Sequence, residues 1–137
     1  MWWIYALLSA LFAALTAIFA KVGIKGVDTD LATAIRTVVI LILAWGIAFF
    51  KGSVSSAATL SKQNILFLCL SGVATGLSWI FYFKALQIGK VSQVAPVDKL
   101  SVAIAIILSV VFLGEPLTLK TAIGALLIIG GTIVLIL

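Results

Sequence analysis

Three charged residues stand inside stretches that are otherwise apolar enough to cross a membrane. Arg36 lies in TAIRTVVILILAW, and the neighbours Asp98 and Lys99 lie in SQVAPVDKLSVAIAIILSVVFLGE, just after Pro96. An ion in hydrocarbon needs a partner, a water-filled cavity or a nearby surface, so embedded charge marks an ion or substrate path by default. Burial raises the proton affinity of a lone carboxylate such as Asp98 and would suit it to proton or cation coupling; adjacent cations lower that affinity again. Two cations against one anion point instead to a structural clamp, or to a vestibule that attracts an anionic or zwitterionic substrate through Arg36 and Lys99.

A second pattern is uncharged. Ser71, Thr75, Ser78 and Tyr82 recur at helical spacing in one apolar run, with Gly72, Gly76 and Trp79 beside them. The stripe reads in two ways. It is interhelical hydrogen-bonding glue, worth about 0.6 kcal/mol per contact, or it lines a solvated cavity walled by Trp79 and Tyr82. Ser9 lies beside a small-residue face formed by Ala6, Ala10, Ala13, Ala17 and Ala20. Such a face lets another helix approach closely. The substrate-lining set is therefore Ser9, Arg36, Ser78, Trp79, Tyr82 and Lys99, with Asp98 and Arg36 as the expected coupling or ion pair.

The elements that carry these residues follow from composition. The 137 residues are 64% hydrophobic and 9% charged, whereas soluble domains run near 45–50% and about 25%. The chain reads as an all-α integral membrane protein. Five apolar segments, at about 2–20, 31–50, 65–83, 92–113 and 118–137, each span roughly 27–33 Å as helices, matching a hydrocarbon core of about 30 Å. They do not alternate in the manner of barrel strands, so helices are the way to satisfy their backbone in lipid. The first segment has no Lys or Arg before Lys21, unlike a signal peptide, and is expected to be retained. Its Trp2, Trp3 and Tyr5 suit an interfacial aromatic belt.

Local signals refine this outline. Asp30 is the expected N-cap of the second helix. The fourth helix starts either at Pro96, placing proline at the first position, or near Ser92, placing Asp98 about 9 Å deep; length favours Ser92. Glu115, between Gly114 and Pro116, is expected to favour the positive end of the last helix. Successive helices alternate direction, so the second and fourth enter from one side. Arg36 is six residues after Asp30, and Asp98 six after Ser92. The two are expected at similar depth, as an ion pair or as two walls of one polar vestibule.

Other classes are disfavoured. The net charge of +5 comes from lysines scattered at segment ends, where snorkelling and anionic headgroups account for them, so no nucleic-acid partner is expected. The sequence has no His and one Cys, Cys69, expected to be a buried, inert side chain. No metal site, cofactor, phosphate-binding glycine loop or nucleophile–base set is discernible, so an enzyme is not expected.

The run KALQIGKVSQVAPVDKLSVAIAIILSVVFLGEPLTLKTAIGALLIIGGTIVLIL resembles the second half of an EamA-type domain of the drug/metabolite transporter superfamily. Its matching elements are KALQIGKVSQVAPV, the VFLGEPLT turn and the IGALLIIGG helix. TAIRTVVILILAW resembles the second helix of that domain, so the likeness covers essentially the whole chain. The resemblance implies one five-helix unit, residues 1–137, equal to half of a ten-helix transporter. It also implies alternating access through inverted repeats, which a lone unit reproduces only as an antiparallel homodimer. Lys51, Lys62 and Lys120 on one side nearly balance Lys21, Lys25, Lys84 and Lys90 on the other, which permits dual topology; counting Arg36 and Lys99 shifts the N-terminus outside.

The resulting expectation is a secondary transporter, an exporter of a small organic metabolite, in a prokaryotic plasma membrane. Its partners are a small-molecule substrate, membrane lipids and a second copy. Alternatives from other classes are a flippase for lipids or lipid-linked carriers, and a non-transporting accessory subunit whose polar stripe is buried against protein.

Overall fold

A computed structural model describes residues 1–137. It is all-helical: α1 (Trp2–Gly23), α2 (Thr29–Phe50), a 3-10 segment (Ser53–Thr59), α3 (Lys62–Ile88), α4 (Val91–Asp98), α5 (Leu100–Leu113) and α6 (Leu119–Ile136). Five stretches are long and apolar enough to span a bilayer, with α4 and α5 together forming one of them, Val91–Leu113. The chain divides into two compact units, Phe19–Gln87 and the combination of Met1–Ile18 with Ile88–Leu137.

In the Phe19–Gln87 unit, side chains meet where the end of α1, the start of α2 and the end of α3 converge. Ala20, Ile24, Thr29, Thr33, Phe83 and Leu86 are all buried there. The α1–α2 turn passes through Gly26 at φ 71°, a left-handed conformation that costs a side-chain-bearing residue about 1–2 kcal/mol. Lys21 Nζ donates to the carbonyl of Leu86, and Gln87 Nε2 donates to the carbonyl of Val27 at 3.1 Å. The N-cap of α2 is Asp28 rather than Asp30. Its Oδ1 accepts from the backbone N–H groups of Asp30 at 3.0 Å and Leu31 at 2.9 Å. That leaves the Asp30 carboxylate free to pair with Lys84 on α3, at 3.3 Å. Asp28 wins because the cap oxygen must reach N–H groups two and three residues on, and only Asp28 has extended geometry at the right place.

Helix α3 runs 27 residues, about 40 Å, and so exceeds a hydrocarbon core of about 30 Å. The sequence boundaries of 65–83 stop at its charges. The helix continues through Lys62 and Lys84 because both head groups can reach water while their stems remain on the helix.

The other unit contains the broken fourth span. Its helix begins at Val91, so Pro96 lies inside α4 rather than at its first position. Proline supplies no N–H and crowds the carbonyl one turn earlier. The ladder tightens at the next turn: Lys99 N–H contacts the carbonyls of both Ala95 (3.3 Å) and Pro96 (3.1 Å), and Val102 N–H reaches Lys99 at 3.0 Å. The break is one residue wide, since Lys99 keeps near-helical angles of φ −71° and ψ −9°. On α6, the buried Thr132 hydroxyl lies 2.8 Å from the carbonyl of Ile128 in its own helix and 3.2 Å from that of Pro96.

Helix α5 closes at Gly114, which adopts φ 68°. The N-cap of α6 is Thr118, whose hydroxyl accepts from Thr121 N–H at 3.2 Å. Glu115 lies three residues before that cap, outside the first turn of α6. The Pro116–Leu117 segment is non-helical and delays the start of α6 to Leu119.

Candidate functional site

Arg36 comes from the third turn of α2, seven residues after Thr29 and so about 10 Å from the helix start. Two rings on α3, one helical turn apart, receive it. The guanidinium carbon lies 5.0 Å from the Trp79 ring centroid and 4.4 Å from that of Phe83. Trp79 and Phe83 are four residues apart, so they stand on one face of α3 and together form an aromatic clamp. A cation on an aromatic face gains about 0.5–2 kcal/mol, more as it is shielded from water. This offsets part of what an arginine costs inside a spanning helix.

The clamp does not satisfy the guanidinium's hydrogen bonds. Its Nη1 is buried and has no hydrogen-bond partner. Nearby side chains of the same unit are committed elsewhere. The Asp30 carboxylate pairs with Lys84, and the hydroxyls of Thr33 and Thr37 each donate to the carbonyl four residues earlier, at 2.8 Å. The ring of Tyr82 lies 6.0 Å from that of Phe83. Phe83 is completely buried whereas Trp79 is half-buried. The clamp thus has a closed floor and an accessible wall.

The remaining sequence candidates are distributed as follows. Ser78 lies next to Trp79 on α3 and is exposed, as are Ser71 and Thr75. Thr75 donates to the Ser71 carbonyl at 2.9 Å, so part of the polar stripe is spent on its own helix. Ser9, Asp98 and Lys99 belong to the other unit. Asp98 and Lys99 form a local pair at 3.2 Å, which neutralises the carboxylate within one turn. Cys69 faces outward on α3, an exposed free thiol rather than the expected buried one. No group of three or more His, Cys, Asp or Glu side chains is placed to hold a metal ion.

Sequence reasoning missed Phe83. It is one of eight phenylalanines and closes an apolar run, with nothing in its type to separate it from a lipid-facing ring. The available signal was its spacing of four from Trp79. A shallow cavity of about 320 Å³ between the end of α2 and the 3-10 segment was also unforeseen; it is lined by Ala44, Trp45, Ala48, Val54, Ala57 and Leu60, among others. It holds none of the charged residues and is apolar in character.

Comparison with known proteins agrees with the architecture. The EamA-like transporter family matches residues 1–137. A protein of Sinorhizobium sp. described as an uncharacterized transporter in the cobO 3' region is 48% identical over 134 residues, covering 98% of this chain and 95% of the relative. The uncharacterized protein MJ1333.1 of Methanocaldococcus jannaschii is 39% identical over 77 residues, 56% of each chain. No solved structure matches the chain at significance.

Proposed function

This chain belongs to the EamA-like transporter family, and on that premise we propose that it moves a small organic metabolite across a prokaryotic plasma membrane by alternating access. We assign it export as its direction and a homodimer as its working form. One five-helix unit is half of the inverted-repeat architecture that places a site near the bilayer midplane. The observation that carries the reading is the Arg36 clamp. A guanidinium at membrane depth, held on Trp79 and Phe83 with Nη1 unpartnered, is costly as mere packing. A group that binds cargo during part of a cycle accounts for that cost.

Within this reading Arg36, Ser78, Trp79 and Tyr82 contact substrate. Ser9, Asp98 and Lys99 are assigned to the path on their chemistry, with Asp98 as the coupling carboxylate and Lys99 and Arg36 tuning it. The test is flux in vesicles reconstituted with the whole chain, loaded with amino acids, organic acids, amines or lipid-linked carriers, with and without a pH gradient. Gradient-dependent flux of a soluble metabolite is the expected result. Movement of lipid carriers alone would replace the reading with a flippase, and no flux from correctly folded protein would replace it with an accessory subunit.

A further inference from the structure

The geometry points to the class of cargo: Arg36 is the recognition residue for an organic carboxylate whose apolar body rests against Trp79. This rests on the transport reading of the same site. A guanidinium has two kinds of surface. Its flat faces suit aromatic rings, and its edge carries five N–H donors in a fixed fork that matches a carboxylate. Here Trp79 and Phe83 take up the cation through their ring faces, at 5.0 and 4.4 Å. Neither ring offers a conventional acceptor to the donor edge, and Nη1 has no hydrogen-bond partner.

The surrounding groups narrow the choice. The acidic side chains of the same unit are Asp28 and Asp30. Asp28 caps α2, and Asp30 is held by Lys84. The missing counter-charge is therefore one that this unit does not itself provide. Nη1 is itself shielded and Phe83 is fully buried, so a ligand reaches the fork from the side of the half-buried Trp79 and only as Nη1 is uncovered there. An apolar group attached to the carboxylate would lie against the indole, a large surface with little conformational freedom to lose. A cationic cargo would meet Arg36 with repulsion. A neutral amide would leave the charge uncompensated.

The test is ligand binding to the full chain in phosphatidylcholine nanodiscs, read as a shift in unfolding temperature and as quenching of tryptophan fluorescence. The probes are phenylacetate and 4-methylpentanoate, each against its neutral amide, with phenethylamine as the cation. The expected result is that at least one carboxylate binds tenfold or more tighter than its amide, with no amine binding. Arg36→Lys should lose tenfold or more of that affinity, because the charge remains but the planar fork and stack do not. Trp79→Leu should weaken the carboxylate and reduce the quench, giving an independent check if Arg36→Lys folds poorly. Equal binding of acid and amide, binding of the amine, absence of carboxylate binding, or full affinity in Arg36→Lys would each overturn the inference.

Repeating the measurement in phosphatidylglycerol nanodiscs separates lipid phosphate from soluble carboxylate. Loss of carboxylate binding there would assign the fork to a headgroup and overturn the cargo class. Flux separates the two levels of the reading. Carboxylate binding without transport would sink the transport function and leave the site, whereas transport confined to amines or neutral molecules would sink the site and leave the function.

Discussion

Arg36 and Asp98 each have a partner within their own unit. Arg36 rests on Trp79 and Phe83, and Asp98 pairs with Lys99. If both act in one transport step, their substitutions should not act independently. Asp98→Asn and Arg36→Gln are expected to slow flux singly, and the double variant to lose less than the sum of the two, by at least about 0.5 kcal/mol in activation terms. Initial rates in reconstituted vesicles measure this. Strict additivity would assign the two residues to separate tasks.

At the level of elements, a few side-chain hydrogen bonds fix where α2 starts and how the broken fourth span is satisfied. Asp28→Ala should destabilise the α2 start by about 1 kcal/mol, because two backbone donors lose their cap. Asp30→Ala removes only a half-exposed ion pair with Lys84, worth about 0–1 kcal/mol. Unfolding midpoints in mixed micelles should therefore rank Asp28→Ala below Asp30→Ala; the reverse order would return the cap to Asp30. Thr132→Val probes the broken fourth span. It removes the α6 hydroxyl from the Pro96 carbonyl and is expected to cost about 0.6 kcal/mol, at most about 1.7. A neutral result would mean that Lys99 N–H alone satisfies the carbonyl.

At the level of the whole molecule, much of the small-residue surface is uncommitted. A Cβ added at Gly72, Gly76, Gly124, Gly130 or Gly131 would meet nothing within 4 Å. Within one chain, glycine is therefore not required at these positions for space. Replacing Gly72 and Gly76 with alanine should leave the protomer as stable or up to about 1 kcal/mol more stable per site, since alanine favours helix. If a second copy packs on this face of α3, the same variants should weaken the dimer because the helices can no longer approach closely. Chemical cross-linking in native membranes, set beside unfolding midpoints, distinguishes the outcomes. Unchanged cross-linking would move the dimer interface away from α3, leaving the α6 glycines as the next face to test.

Composition together with the length and pattern of the apolar runs determined that this is a helical membrane protein with five spans, because hydrocarbon leaves an apolar run of about 20 residues few other ways to satisfy its backbone. It also singled out Arg36, Asp98 and Trp79, since charge and large amphipathic rings are conspicuous against an aliphatic background. What tertiary structure decided was partnership. Apolar residues look alike until they are packed, so Phe83 could not be told from its lipid-facing counterparts. The backbone angles that select a cap are not visible in sequence, so the cap of α2 fell to Asp28 and not to the expected Asp30. A proline within a span fits either a helix start or an interior position by sequence; length favoured the interior, and the helix start at Val91 puts Pro96 there, where Lys99 and Thr132 reach its carbonyl. Type and period are local properties of the chain, but the group that satisfies a charge or a carbonyl is set by distance.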